Sequence, residues 1–246
     1  MRTAKTVLTV IQERGKQKKP IERVYKLLFN RELYLNAYAK LYPNNGAMTK
    51  GVTDETVDGM SIQKIDRMIE ILREEKYQWK PARREYIKKK NGKKRPLGIP
   101  VWGDKVLQEV MRQILEAYYE PQFSEHSHGF RPNRGCHTAL QEIQVWKGTR
   151  WFIEGDISQY FDTIDHKILL EILARNIHDG RFIRLVSNML EAGYLEEWKF
   201  NQTISGVPQG GVISPILANI YLNEFDNWIE EVLIPKYTKG KRQKSN

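Results

Sequence analysis

One acidic residue, Asp156, follows a glycine at the end of an aromatic and β-branched run, Trp151-Phe-Ile-Glu-Gly-Asp156. Such a run favours a pleated, buried strand. A carboxylate at a strand tip is placed to hold a hard cation such as Mg²⁺, which takes oxygen ligands and keeps waters for substrate phosphates. The same carboxylate also suits a turn cap, and this stretch alone leaves both readings open. Two aromatics, Tyr160 and Phe161, come next, then Asp162 and Asp165, which suit the N-cap of a helical run over 167–174. Further along, Ser205-Gly-Val-Pro-Gln-Gly-Gly-Val-Ile-Ser-Pro215 is a glycine-rich loop leading into a helix. That arrangement is friendly to phosphate, although the Gly-Lys-Ser/Thr ending of a Walker loop is missing. The loop Ser127-His-Gly-Phe-Arg-Pro-Asn-Arg-Gly-Cys136 sets Arg131 and Arg134 beside an aromatic, the chemistry that holds single-stranded RNA by phosphate pairing and stacking.

The elements that must position these groups read as mostly helical. Val7, Leu8, Val10 and Ile11 give the basic first twenty residues a short helix, and 21–42 reads as one helix striped by Val24, Leu27, Leu28, Leu33, Leu35 and Tyr38. Pro43-Asn-Asn-Gly46 breaks it, and Ser61 starts another helix carrying Ile65, Met68, Ile69 and Leu72. Over 84–97 the period changes to two strands joined by Asn91-Gly92, a stiff hairpin with six Lys/Arg near its tip. It suits closure over a triphosphate or a nucleic-acid backbone; a soluble edge protected by lysines has the same composition. Asp104 reads as the cap of an amphipathic helix with Val106, Leu107, Val110, Met111, Ile114, Leu115 and Tyr118 on its apolar face, ended by Pro121. Helices over 168–177 and 182–192 follow, then a strand pair over 194–204 turning near Phe200-Asn201-Gln202. A last helix over 216–233 has Ser214 as N-cap and Pro215 as first residue.

Composition narrows the partners. The 246 residues hold 40 Lys+Arg against 30 Asp+Glu, a net charge of +10, and so favour a polyanion, most often nucleic acid. The excess is uneven: 80–95 carries nine basic residues and one acid, and 236–244 five basic residues and no acid. One cysteine, Cys136, excludes an intrachain disulfide and a Cys-based zinc site. His126 and His128 stand two apart in a loop, with no Cys or carboxylate set around them that resembles a metal site. No apolar run approaches the roughly 18 to 20 residues of a membrane span, so the expectation is a soluble, intracellular protein without a membrane partner.

Four blocks in fixed order resemble the reverse transcriptase of bacterial group II introns: Lys94-Arg-Pro-Leu-Gly-Ile-Pro100, Gly129-Phe-Arg-Pro-Asn-Arg134, Gly155-Asp156 with Tyr160-Phe-Asp162, and Gly206-Val-Pro-Gln-Gly-Gly-Val-Ile-Ser-Pro215. Lys50-Gly-Val-Thr-Asp-Glu-Thr-Val-Asp-Gly59 is similar to the N-terminal extension of these enzymes. The resemblance covers about residues 45–230. It implies an α+β fold, helix-rich with short antiparallel strands: right-hand polymerase fingers plus an incomplete ferredoxin-like palm. It also implies an N-terminal extension over 1–60, fingers with the start of the palm over 61–150, a palm strand and turn over 151–165, a fingers insertion over 166–205 and a palm helix over 206–246.

By position, the resemblance makes Asp156 a metal-binding and catalytic aspartate, joined by the backbone carbonyl of Ile157. It makes Phe161 the gate beneath the sugar's 2′ position, Lys89 and Arg95 the fingertip cations on the triphosphate, and Gln209 the residue over the incoming nucleotide. Lys88, Lys93, Lys94, Arg131 and Arg134 fall to RNA. The implied cofactor is Mg²⁺, and the implied partners of the intact enzyme are group II intron RNA, an RNA template with a DNA primer, and a deoxynucleoside triphosphate. Such polymerases use two metal ions held by three aspartates, two of them in a downstream aromatic-Ala-Asp-Asp box. This chain stops at Asn246 without that box. Asp162 and Asp165 match helix-entry positions and Asp226 lies inside the last helix, so none replaces it. The expectation is an N-terminal portion of an RNA-directed DNA polymerase that binds RNA but does not polymerise. A different class, a non-catalytic RNA-binding splicing cofactor, is served by the basic N-terminus, the hairpin and the arginine loop. A retron-type enzyme fits the extension and the arginine loop less well. The sequence leaves homodimer formation undecided.

Overall fold

The computed structural model describes residues 2–88, 92, 94–148, 154–197, 199–203, 205–207 and 210–238. In chain order the elements are α1 (Ala4–Lys16), β1 (Ile21–Glu22), α2 (Arg31–Leu41), α3 (Ile62–Arg73), β2 (Ala82–Lys88), β3 (Lys94–Ile99), α4 (Trp102–Tyr119), α5 (Cys136–Gln144), α6 (Tyr160–Thr163), α7 (His166–Asn176), β4 (Ile177–His178), α8 (Gly180–Leu190), β5 (Tyr194–Glu196), β6 (Lys199–Asn201), α9 (Ser214–Trp228) and α10 (Ile234–Thr238).

The core forms around α4. Its apolar residues recur at three- and four-residue spacing, and Val106, Leu107, Val110, Met111, Ile114, Leu115 and Tyr118 are all fully buried. Helices α1, α2 and α9 pack on it. Each fully buried Leu, Ile or Val there contributes about 1.5–3 kcal/mol relative to exposure. Helices α7 and α8 form the next layer, their starts set by Asp165, which accepts from the Ile168 N–H, and Asp179, which accepts from the Arg181 N–H. Asp179 also accepts from the Tyr25 N–H at 2.9 Å, tying α8 to the 3₁₀ turn Val24–Phe29.

A four-stranded sheet runs β3-β2-β5-β6, and β1 pairs with β4 in a separate two-stranded ladder. The hairpin β2–β3 is antiparallel with Arg84 opposite Gly98, Ile87 opposite Arg95 and Lys88 opposite Lys94. The expected short antiparallel strands are joined here by parallel ones. β2 with β5, and β1 with β4, run parallel, because the intervening helices return the chain in the same direction.

Six expectations shift. The single helix over 21–42 is a strand, a 3₁₀ turn and α2, because Arg23 takes a left-handed φ of 54° and Asn30 caps α2 by accepting from the Glu32 N–H. Asp104 does not cap α4; Val101 holds that position and Asp104 lies buried in the first turn. The β5–β6 turn comes earlier than expected, at Glu197 with φ 49°, because Glu196 pairs with Lys199. Ser214 is the first residue of α9, with Ile213 as its cap, and Asp162 sits inside α6 rather than capping α7. Last, Glu154–Gly155–Asp156–Ile157 is exposed and irregular. A strand needs a ladder partner for its N–H and C=O groups, and among the described residues no strand lies beside this stretch. Trp151, Phe152 and Ile153 lie outside the described residues.

Buried Asp104 gives the fold a pH dependence. Its carboxylate accepts from the Tyr77 hydroxyl at 2.6 Å and the Lys80 N–H at 3.1 Å. Burial pushes its pKa from 3.8 up to about 6, outweighing the opposing pull of those two hydrogen bonds. The native carboxyl thus keeps its proton at pH values where the unfolded chain has lost it. This contribution is fully present below the unfolded value and is lost as pH rises through about 6. Its size is up to about 3 kcal/mol. Urea unfolding of Asp104→Asn should therefore vary less between pH 4.5 and 7.5 than that of the parent. Identical pH slopes for the two proteins would refute this.

Candidate nucleotide and nucleic-acid site

Alternation along the hairpin turns Ile87, Arg95 and Leu97 to one face. There they line a cavity of about 420 Å³ with Phe130, Phe161, Gly210, Gly211, Ser214 and Pro215. Four sequence blocks that are far apart in the chain meet at this point. Phe161 stands on the short helix α6, entered through a left-handed Gln159 (φ 53°). The glycine-rich loop is strapped to the back of that helix: the Val207 N–H donates to the Phe161 carbonyl and the Gly206 N–H to the Ile164 carbonyl, both at 2.8 Å. The Ser205 hydroxyl donates to the Asp162 carbonyl at 3.1 Å.

Two glycines of the loop are required by contact. At Gly206 (φ +87°) a Cβ would lie 2.8 Å from the backbone of Phe161 and Asp162; at Gly210 (φ +102°) it would lie 2.6 Å from the Gly98 carbonyl oxygen. The loop is therefore wedged between α6 and the hairpin. Its far end is held by α4, where Gln108 Oε1 accepts from the Val212 N–H at 2.9 Å. The phosphate-friendly reading of the loop changes accordingly. The N–H groups of Gly206, Val207, Val212 and Ser214 are bonded within the protein, so these glycines serve close packing.

Phe130 completes the wall. It is 70% exposed, has a left-handed φ of 56°, and meets Phe161 edge to face with centroids 6.1 Å apart. The loop behind it is built around Arg131, which is only 8% exposed. Its guanidinium pairs with the Glu120 carboxylate at 3.0 Å and donates to the carbonyls of Ser127, at 2.8 Å, and Ser124. The guanidinium also stacks 5.4 Å over Phe123. Arg131 thus holds the loop from within. Arg134, half-buried, donates to the Glu125 carbonyl.

His126 and His128 both reach Glu142 of α5. His128 contacts Glu142 Oε2 and Thr138 Oγ1 at 2.8 Å each, and His126 contacts Glu142 Oε1. The two histidines hold the Glu142 carboxyl below the usual carboxylate range, His128 more strongly.

Asp156 is exposed, and Ile157 beside it is 53% exposed. Among the described residues no group of three or more His, Cys, Asp and Glu is arranged to hold a metal ion. Asp156 offers oxygen donors of the type Mg²⁺ takes. Asp226, on α9, is half-buried, with its pKa raised by burial and by Glu230. Lys88 and Lys94, the last described pair before the connection between β2 and β3, are exposed; Lys89, Lys93 and Gln209 lie outside the described residues. Phe130, Gln108 and His166, whose Nε2 reaches the Gly206 carbonyl at 2.6 Å, were not singled out from sequence. An exposed aromatic next to Arg131 marked Phe130, but nothing in the pattern marked the other two.

No helix of the described residues is long and apolar enough to cross a membrane. The family model for reverse transcriptase (RNA-dependent DNA polymerase) matches residues 87–238. The chain is 51% identical over 209 residues to group II intron-encoded protein LtrA of Lactococcus lactis subsp. cremoris, covering 84% of this chain and 35% of that protein. It is 47% identical over 237 residues to an uncharacterized 91 kDa protein in the cob intron of Schizosaccharomyces pombe, covering 93% and 29%. A chain of a partial Cas6-RT-Cas1–Cas2 complex superposes with a TM-score of 0.55 at 20% identity, over 85% of this chain and 35% of that one, a likeness of fold alone. The chain spans about a third of the length of these relatives. With the four blocks folded around one cavity and the family model covering most of the sequence, the chain belongs to the reverse transcriptase (RNA-dependent DNA polymerase) family, and group II intron-encoded proteins are its relatives over most of its length.

Proposed function

We propose that this chain is the nucleotide-positioning and RNA-gripping portion of an RNA-directed DNA polymerase that also serves as a maturase for a group II intron. The observation that carries the reading is the convergence of Arg95, Phe161, Phe130 and the glycine-rich loop on one cavity. In this reading a deoxynucleotide lies between hairpin and gate. Arg95, with Lys89 beside it, neutralises the triphosphate. Gln209 lies over the nucleotide, and the Phe161 ring leaves no room for a 2′-hydroxyl. Phe130 and Arg134 present the arginine loop to RNA, and Arg131 keeps that loop in shape. Lys88, Lys93 and Lys94 follow the RNA backbone.

Asp156, with the Ile157 carbonyl, would give oxygen ligands to Mg²⁺, and that ion when bound supplies charge stabilisation for the attacking and leaving oxygens. Further carboxylates complete the site in the intact polymerase. In the same reading, 1–60 is an extension, 61–150 and 166–205 are fingers, and 151–165 and 206–246 are palm, in a cytoplasmic bacterial protein.

The purified 246-residue chain should bind intron RNA without extending a primer, because a lone carboxylate does not assemble a two-ion site. Reversing Lys88 and Lys94 to Glu should weaken RNA binding by ten-fold or more and flatten its dependence on salt. Primer extension by this chain, or an unchanged salt slope in the variant, would contradict the reading. Among the described residues no group of three or more His, Cys, Asp and Glu is arranged to hold a metal ion, which favours a second reading, a non-catalytic splicing cofactor. Template-dependent synthesis by the intact protein separates the two.

A further inference from the structure

The hairpin has a second face. Strand alternation turns Arg84, Pro96 and Gly98 away from Phe161. On that side lies a separate cavity of about 320 Å³, closed by Tyr194, Gln202, Thr203, Ser205 and Asp162. The parallel pairing of β2 with β5 brings Tyr194 beneath Arg84, and the Arg84 guanidinium lies 3.5 Å from the ring centroid. Stacked in this way, the guanidinium is held in place before any ligand arrives.

Its Nε is buried and has no hydrogen-bond partner among the described residues. A buried donor without an acceptor is a cost that a suitably placed acceptor removes. Phosphate oxygens are the acceptors a guanidinium fork fits best. Beyond the cavity the same face continues with Tyr86, over which the Lys94 ammonium sits at 5.9 Å, and with Lys88 opposite Lys94. Cations alternating with aromatics along a strip suit a single nucleic-acid strand.

We propose that this outer face of the hairpin is a second nucleic-acid subsite, in which Arg84 seats one phosphodiester of an RNA strand that runs on past Tyr86 and Lys94. The strand on this face is separated by the hairpin from the cavity at Phe161. The inference rests on the RNA-binding reading above and adds to it a place on the protein that the reading does not use.

The test is titration of a fluorescent single-stranded RNA with the 246-residue chain at several KCl concentrations. Arg84→Met should weaken binding about ten-fold and reduce the salt slope by about 0.7, one single-strand phosphate contact. Arg84→Lys keeps the charge and should restore most of the slope. Millimolar inorganic phosphate should not displace RNA. In the unsubstituted chain, RNA should slow amide hydrogen exchange over 82–86 and 199–203, which reads the site even where a variant folds poorly. Unchanged affinity and slope in Arg84→Met, or unchanged exchange over both segments while RNA is bound, would overturn the inference and leave the RNA-binding reading standing. Displacement by inorganic phosphate that depends on Arg84 would overturn the assignment to a strand. Failure of the unsubstituted chain to bind RNA at all would remove the reading beneath it.

Discussion

In the intact polymerase, Asp156→Asn should lower primer extension by roughly three orders of magnitude or more, with RNA affinity changed less than about two-fold. A metal ion at the reacting phosphate is worth several kcal/mol of charge stabilisation, and each 1.36 kcal/mol is a factor of ten in rate. The amide keeps the size of the side chain but loses the negative charge and one acceptor oxygen. RNA binding is spared because Asp156 is an exposed acid, which adds no attraction to a phosphate backbone. The check is single-turnover extension beside an equilibrium binding curve. Equal loss of both would move Asp156 from chemistry to RNA binding or folding.

The second large effect falls on stability. Arg131→Ala should lower the free energy of unfolding by about 3 kcal/mol, since removing one partner of a buried pair leaves the other charge stranded. Here the stranded groups are the Glu120 carboxylate and the carbonyls of Ser124 and Ser127. Arg131→Lys should recover little, because an ammonium cannot reproduce the planar fork that spans these acceptors. Urea unfolding at constant m-value reads the change. A midpoint shift under about 0.5 kcal/mol would show that the loop does not depend on its buried guanidinium.

Sequence carried the large features because each had a local cause. The basic hairpin follows from two alternating runs on either side of Asn91-Gly92. The face of α4 follows from residue spacing, and the starts of α3 and α7 from Ser61 and Asp165, whose side chains meet backbone N–H groups within their own turn. What was misread depends on partners distant in the chain. Asp104 resembles a cap until Tyr77 and Lys80 arrive. The 21–42 stripe resembles one helix until Arg23 turns left-handed and β1 finds β4. Arg131 resembles a solvent-facing RNA contact until Glu120, eleven residues earlier, closes on it.

The site was legible to a similar depth. Arg95, Phe161 and the glycine-rich loop were named from sequence, and they line one cavity. The loop's glycines were assigned to phosphate, whereas the contacts made at Gly206 and Gly210 assign them to packing. Pattern alone cannot separate those roles, because both require a backbone without a Cβ. Arg84 was one charge among nine in the basic run; only the pairing of β2 with β5 sets it on Tyr194.

The most direct measurement concerns Phe161. In the intact polymerase, incorporation of matched deoxy- and ribonucleotides should be compared for the parent and for Phe161→Val. Removal of the ring should relax discrimination against the ribonucleotide by roughly 10- to 100-fold, with deoxynucleotide incorporation retained. An unchanged ratio would contradict the placement of the incoming nucleotide between the hairpin and the gate.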